Sequence, residues 1–510
     1  MLHARRPPSV YSQEDPLSFA LRPPDAESDL DRRARLQNEA DAKRISDIID
    51  EQLKVDRRNF EKSKQDVRLL LLGQAESGKS TLQKQFQLMY SPDTLDQERT
   101  SWRTVIYFNI ARSVRRVLEF LDAHGDIFDE DVAETPIPDS MSSQRTLEDL
   151  VHQSDADDHS PQSSSRPYSS SASPIITEAQ RQIATLRLRL SPLVAAESTL
   201  ADRLSGGVRV SGSGKGGVYV RHGWQLRSAA RNPSSAGRSL SSVAVASPVT
   251  ESANTLNVYE VVEEVGRILD ASKEDVKTLW RSEVVQKMIK RRRLRLEEWA
   301  EFFLSAIDRV AARDYVPSTD DILHARIQTM GVSEHLFEVP LHGRSVTWHL
   351  YDVGGARGQR HTWVPYFDEA NAIIFVAPIS AFDQYLEEDP RTNRIDDSLQ
   401  LFTAICSNQL LKNLHLVLFL NKTDILQNKL ANGVRVRKYI TSYGNRPNDY
   451  ESVVNYFRAH FLQVHRKNNE KKRVLYSHLT NVVDIKATRS IIANVRDSIF
   501  RDYLKSAALV

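Results

Sequence analysis

The chain has 510 residues, 40% of them hydrophobic, and its 69 Lys and Arg against 67 Asp and Glu leave a formal charge of +2. That length and apolar content can supply more than one core, and the even charge excludes a molecule that binds nucleic acid through its overall field. A lone cysteine, Cys406, and the absence of any apolar run near the roughly 20 residues of a spanning helix exclude a disulfide scaffold and an obvious membrane span.

Residues 1 to about 24 hold Pro and Arg without periodicity and are expected to form a loose tail. The start MLHARRPPSV has no apolar stretch of a secretory signal, and Leu2 stands where N-myristoylation needs glycine. An intracellular, reducing setting without a lipid anchor of its own is therefore expected. Asp25 to Leu72 contains no Gly or Pro, and Leu36, Ile45, Ile48, Ile49 and Leu53 are spread among charges. This predicts a long, largely exposed helix over residues 25–66, either solvated or a docking surface, running into a strand.

VRLLLL, Val67 to Leu72, is a short apolar run ended by Gly73, as in a buried parallel strand, and Leu82, Phe86 and Met89 then recur at helical spacing. Further strands are expected at Val346 to Leu350, Ala372 to Ala377 and Leu414 to Leu420, with helices between the later ones. The pattern predicts an α/β domain over residues 67–90 and 318–510, with a mainly parallel sheet covered by helices on both faces. Residues 91–317 interrupt it: Ser101 to Asp126 and Val276 to Ala311 are amphipathic and predict an inserted helical domain. Its middle, about 134–252, is rich in Ser and expected to be largely disordered, with one helical island at EAQRQIATLRLRLSPLVAAESTLADRL. The basic run KRRRLR, Lys290 to Arg295, lacks interleaved aromatic residues and is taken as a solvated helix face rather than a nucleic-acid patch.

Three segments carry chemistry. Gly73, Gly78, Lys79 and Ser80 fit GxxxxGK[ST] between strand and helix. Such a loop turns backbone N–H groups on phosphates, its Lys adds a point charge and its Ser can ligate Mg²⁺. In FLNKTDIL, Asn421, Lys422 and Asp424 follow a strand, and a carboxylate there can accept both the ring N–H and the exocyclic amine of guanine, a pair that adenine does not offer. In DVGG, Asp352 can hold Mg²⁺ through water and the Gly355 amide can approach a γ-phosphate, so that loss of the phosphate frees the loop.

With ESGKST, HARIQTMG, DVGGARGQR, FLNKTDIL and an inserted helical domain in this order, the chain resembles an alpha subunit of a heterotrimeric G protein, an atypical, fungal-like one, over about residues 30 to 126 and 260 to 510. The resemblance implies a Ras-like P-loop GTPase domain plus an all-helical insertion, GTP or GDP with Mg²⁺ as ligands, and a signalling switch. It implies nucleotide contacts from Glu76, Ser77, Gly78, Lys79, Ser80 and Thr81, and a switch segment Leu323, His324, Ala325, Arg326 and Thr329 in which Arg326 is the built-in arginine finger paired with Glu76. Asp352, Val353, Gly354 and Gly355 would form the second switch, Asn421, Lys422, Thr423 and Asp424 the guanine site, and Val482 would offer its backbone N–H to the guanine oxygen. Mg²⁺ would fall to Ser80, Thr329 and Asp352. The implied partners are a beta-gamma dimer, held by the N-terminal helix and the switch after Gly355, a seven-helix receptor at the C-terminal helix with Ile492, Val495 and Ile499 on one face, and an effector. Membrane contact would be peripheral and through partners.

Departures from the family are equally specific. Ala356 replaces the catalytic glutamine, Met330 follows Thr329 where a second threonine is common, TNVV replaces TCAT, and neither a lipidated N-terminal Gly or Cys nor a cysteine in the tail AALV is present. A methyl group cannot align the attacking water, and losing one such transition-state hydrogen bond costs on the order of 10² to 10³ in rate. Binding should survive while intrinsic turnover becomes very slow. Gln359 is the nearest replacement, but on an α-helix three residues displace it by about 4.5 Å along the axis, too far for simple substitution unless the loop rearranges. The alternatives are a hydrolysis-deficient, GTP-bound scaffold that titrates beta-gamma and, more remotely, an ATP-dependent kinase, against which Asp424 argues.

Overall fold

The computed structural model describes residues 28–63, 66–123, 178–205, 218–220, 224, 251–291, 293–294, 296–341, 344–468 and 473–506. The expected N-terminal tail, the AALV end and most of the Ser-rich stretch lie outside these residues. The chain divides into two compact units, Met1–Asp66 and Val67–Val510.

In the first unit one helix runs from Asp29 to Ser63. Its start is capped: Ser28 Oγ accepts from the Asp31 amide at 3.2 Å and donates to the Asp31 carboxylate at 2.6 Å, satisfying amides that a helix start leaves bare. Arg35 and Glu39, one turn apart, pair at 2.8 Å. Leu36, Ile45, Ile48, Ile49 and Leu53 are all exposed, as the sequence leads one to expect.

The second unit is built on strands β1 (Val67–Leu72), β2 (Tyr219–Val220), β3 (Gln328–Thr329), β4 (Val332–Leu341), β5 (Arg344–Val353), β6 (Ala372–Pro378), β7 (His415–Asn421) and β8 (Leu475–Thr480). Six form one sheet in the order β4-β5-β1-β6-β7-β8, parallel except for the β4–β5 hairpin. The alternation of a strand buried on both faces divides β1: Leu70 and Leu72 pack with Ile373, Phe375, Leu418 and Phe402 in one core, whereas Leu69 and Leu71 pack with Ile374, Phe86 and Val495 in the other. Two strands of this sheet, besides the short β2 and β3, escaped the sequence reading. β4 mixes polar residues and a Pro at the sheet edge, where a missing N–H is tolerated, and β8 (LYSHLT) is mostly half-buried, so its apolar signal is weak.

A third core belongs to the insertion. Trp102–Ala123, Glu178–Ser205 and Glu251–Arg281 are helices packed on one another, with Ile110, Leu190, Leu193, Leu200 and Leu269 fully buried between them. The island inside the Ser-rich stretch is therefore a 28-residue helix with a structural role, and β2 shows that the expected disorder over 134–252 is further interrupted.

Two sequence expectations need correction. Val276 to Ala311 is not one helix. Helices Glu251–Arg281 and Glu283–Lys290 are separated at Ser282, which is extended (φ −53, ψ 129), and short helices follow at Ala300–Ser305 and Ile307–Val310. After Lys290 the Arg293 and Leu294 amides both turn back to the Met288 carbonyl (3.0 and 3.2 Å), burying Leu294 while Lys290, Arg291 and Arg293 stay exposed. The basic run thus sits at a helix end, and the helical period of its neighbours reflects burial by several elements. Secondly, Ile492, Val495 and Ile499 of the C-terminal helix, Ile485–Ser506, are 1, 1 and 3% exposed and belong to the core beneath the sheet. That face holds the helix in place and is closed to a partner.

Candidate functional site

β1 ends at Leu72 and the helix Lys79–Tyr90 starts after a tight turn, so Gly73 to Gly78 form a loop at the C-terminal edge of the sheet, where ligands of open α/β folds collect. Across this loop the Lys79 ammonium donates to the carbonyls of Gly73 (2.9 Å) and Gln74 (2.8 Å). Burial pushes Lys79 down to about 8. At Gly78, φ is 106 and a Cβ would lie 2.3 Å from Asn421 Nδ2, so the turn admits only glycine. Asn421, fully buried at the end of β7, explains that crowding: its Nδ2 donates to the Ser77 carbonyl at 2.7 Å, and its Oδ1 accepts from Thr480 Oγ1 at 3.1 Å and the Val482 amide at 3.2 Å. One side chain thereby ties together the loops after β1, β7 and β8.

Ser80, Thr329 and Asp352 converge from three elements. Asp352 Oδ2 accepts from Ser80 Oγ at 2.7 Å and from Thr329 Oγ1 at 3.0 Å, and the two hydroxyl oxygens are themselves 3.0 Å apart. The other carboxylate oxygen, Asp352 Oδ1, is buried without a hydrogen-bond partner among the described residues. Burial pushes this carboxyl above its ordinary value against the pull of Lys79 and the two hydroxyls. Two hydroxyl oxygens and a carboxylate with one unpartnered oxygen suit a small divalent cation.

A cavity of about 310 Å³ runs along these loops. Its wall includes Glu76, Ser77, Gly78, Lys79, Ser80 and Thr81 from the first loop and the helix start after it, Leu323, His324, Ala325, Arg326 and Thr329 from the segment leading into β3, Val353, Gly355 and Ala356, and Asn421, Lys422, Asp424 and Val482 at its far end. Three expected residues stand behind that wall. Asp352 reaches it through Ser80 and Thr329, the Gly354 carbonyl accepts from Trp363 Nε1 at 2.9 Å, and Thr423 Oγ1 donates to the Thr480 carbonyl at 3.2 Å. Asp424 Oδ1 is buried and unpartnered among the described residues, and burial pushes its carboxyl up. The Val482 amide is already engaged by Asn421 at the long end of hydrogen-bond distances. Its side chain packs close enough that one methyl lies 3.1 Å from the position of a Gly78 Cβ.

These loops recur in known proteins. Residues 43–499 match the family model described as G-protein alpha subunit, and the chain is 32% identical to the guanine nucleotide-binding protein alpha-4 subunit of Mycosarcoma maydis over 98% of its own length and 97% of that protein's. The chain belongs to the G-protein alpha subunit family. It is also 27% identical to a G(o) subunit alpha of Geodia cydonium, covering 92% of this chain and 97% of the relative. The alpha-13 subunit of Mus musculus is 34% identical over 46% of this chain and 60% of its own.

Several partners of this alpha subunit's pocket residues carry no motif of their own. Glu76, held at a positive φ of 63, places one carboxylate oxygen 3.1 Å from Arg326 Nη2 and the other 2.8 Å from Arg394 Nη1. Arg326, then Arg394, hold its carboxyl far below the usual range in spite of burial. Arg394 opens a helix 318 residues further along the chain. Asn109, in the helical insertion, clasps the Arg326 backbone both ways: its Oδ1 accepts from the Arg326 amide at 2.8 Å and its Nδ2 donates to the Arg326 carbonyl at 2.9 Å. Glu298 pairs with the Lys422 ammonium over the far end of the cavity. The reach from the insertion extends to the switch strand itself, since the Gln328 and Met330 amides donate to the carbonyls of Val218 (3.1 Å) and Val220 (3.0 Å), making β2 and β3 a small parallel sheet with Tyr219 on the cavity wall.

The second switch also departs from expectation. A Cβ on Gly355 would stand 2.4 Å from the Ala75 amide nitrogen and the Gln74 carbonyl carbon, so this glycine is required by contact with the first loop's backbone. After Ala356 the chain forms a 3₁₀ helix, Arg357–Tyr366, in place of an α-helix. It is pinned from below, because Asp397 accepts from Arg357 Nε at 3.1 Å and from Arg360 Nη2 at 2.6 Å. Gln359 lines the cavity.

Proposed function

We propose that this alpha subunit binds GTP and GDP with Mg²⁺ and uses the γ-phosphate to order its two switch segments. In this reading Asp424 accepts from the guanine ring, Lys79 and the amides of residues 76 to 81 hold the phosphates, and Ser80, Thr329 and Asp352 hold the cation, which supplies charge neutralisation at the β- and γ-oxygens. Arg326, positioned by Glu76 and Asn109, stabilises the charge that develops as the terminal phosphate leaves. The observation that carries the reading is the coexistence on one cavity of the unpartnered Asp424 carboxylate oxygen with the Ser80, Thr329 and Asp352 oxygen cluster. A base site and a cation site in one cavity suit a magnesium nucleotide.

The partners in this reading are a beta-gamma dimer, a seven-helix receptor and an effector. The exposed Leu36, Ile45, Ile48, Ile49 and Leu53 of the N-terminal helix support a docking role for that element. Among the described residues no helix is long and apolar enough to cross a membrane, and membrane contact is assigned to the partners. Extraction of the nucleotide from purified protein tests the proposal, with calorimetry against GDP, GTP and ATP, with and without Mg²⁺. Guanine nucleotide uptake with no measurable ATP uptake is expected, and no uptake of either removes the reading. Ala356 favours a second version in which the chain is held in the GTP state as a scaffold: GTP in the extracted material supports that version, and GDP supports a cycling switch.

A further inference from the structure

The water-aligning group that Ala356 lacks has a replacement within reach. In a 3₁₀ helix residues i and i+3 lie on the same face, and the Gln359 amide donates to the Ala356 carbonyl at 3.0 Å, closing such a turn. Ala356 is the extended residue just before the helix (φ −62, ψ 146), and this turn brings Gln359 back toward it. Its side chain folds back so far that a Cβ on Gly354 would lie 1.7 Å from its Oε1, while the same point is 2.9 Å from the Thr329 carbonyl oxygen. Gln359 Oε1 is shielded from solvent and has no hydrogen-bond partner among the described residues, although the residue lines the cavity beside Ala356, Gly355 and Thr329. Two acceptor oxygens, Gln359 Oε1 and the Thr329 carbonyl, thus converge on Gly354, between the cavity-lining residues Val353 and Gly355.

We propose that Gln359 is the water-positioning residue of this alpha subunit. The inference rests on the reading of the cavity as a GTP site. Gln359 Oε1 and the Thr329 carbonyl each accept one hydrogen of a water molecule, leaving its oxygen lone pair aimed at the γ-phosphorus. The new P–O bond forms from that lone pair as the bond to the β–γ bridging oxygen breaks, its electron pair leaves with GDP, and the water's proton ends on the released phosphate. Gln359 neither gains nor loses a proton. Gly354 has to be glycine for the side chain to pass, which accounts for the 1.7 Å approach.

The test is a double-mutant cycle in the full chain, with GTP affinity read first by calorimetry and γ-phosphate release then read in a single turnover. Gln359→Ala is expected to bind GTP within about twofold of the parent and to release phosphate about 10- to 100-fold more slowly. Ala356→Gln supplies a second water-aligning group, so in that background the same Gln359→Ala change should cost less than about threefold. A purely structural role for Gln359 would cost the same in both backgrounds. Equal rates for parent and Gln359→Ala, or an undiminished loss in the Ala356→Gln background, overturn the proposal. Absence of GTP binding in the parent overturns the cavity assignment itself, and is told apart because it is seen before turnover is measured.

Discussion

Glu76 and Arg326 form the ion pair that links the loop after β1 to the segment before β3, 3.1 Å from Oε1 to Nη2, and Arg394 holds the other Glu76 oxygen at 2.8 Å. One carboxylate therefore orders two guanidinium groups, Arg326 on the cavity wall and Arg394 at the start of the helix Arg394–Ser407. Both partners of the first pair keep about a quarter to a third of their side-chain surface exposed, so solvent screening limits its worth to about 1 kcal/mol.

Glu76→Gln removes the charge while keeping the size of the side chain. GDP release, followed with a fluorescent analogue, should accelerate about fivefold, the rate equivalent of 1 kcal/mol. An unchanged release rate would mean that the pair does not help to close the site.

Asp424→Asn exchanges two acceptors for one acceptor and one donor, and the guanine amine then meets a donor. Sites built to hydrogen-bond a ligand reject mismatched ones by about 10⁴ or more, so GTP affinity should fall by at least 10². Affinity for xanthosine triphosphate, whose ring carries a carbonyl where guanine has its amine, should rise. Competition binding measures both, and retention of GTP preference would place the base elsewhere.

The β2–β3 pairing is made by an insertion. The Gln328 and Met330 amides, donating to the Val218 and Val220 carbonyls, hold the strand that carries Thr329. Val220→Pro removes a strand N–H and disfavours the pairing. Faster hydrogen exchange at the Gln328 and Met330 amides is the expected result, with GDP release about three- to tenfold quicker. Unaltered exchange at both amides would show that the switch strand needs no such support.

Lys84 gives a pH signature. It is 3% exposed, donates to the carbonyls of Ile322 (2.6 Å) and Ala325 (2.9 Å), and burial pushes it down to about 7. An unfolded lysine keeps its proton to about 10.4, so between these values the unfolded chain binds more protons and stability rises with pH. Below about 7 both states are protonated and this contribution to the slope vanishes. Urea midpoints of the parent should therefore climb between pH 7 and 9 more steeply than those of Lys84→Met. The variant is also about 1–3 kcal/mol less stable throughout, because two carbonyls lose their donor. Parallel curves would contradict the assignment.

The amino-acid sequence by itself determined the parallel sheet, the strand–loop–helix around Gly73 to Gly78, the loop that brings Asp424 to the cavity and the helical insertion. Each of these is written in neighbouring residues whose local conformation suffices: VRLLLL followed by GQAESGKST is a strand, a turn and a helix in any setting that buries the strand. Only the tertiary structure decided that Arg394 and Asn109 serve Glu76 and Arg326, from 318 and 217 residues away, that part of a Ser-rich stretch pairs with the switch strand, and that the apolar face of the last helix is core. It also decided the fate of Gln359: Arg357 and Arg360 anchored on Asp397 accompany the 3₁₀ turn, and that geometry, invisible in the order of residues, carries the carboxamide back across Gly354. Contacts of this kind depend on which surfaces remain to be filled after the sheet and its helices have packed, and no local pattern encodes that remainder.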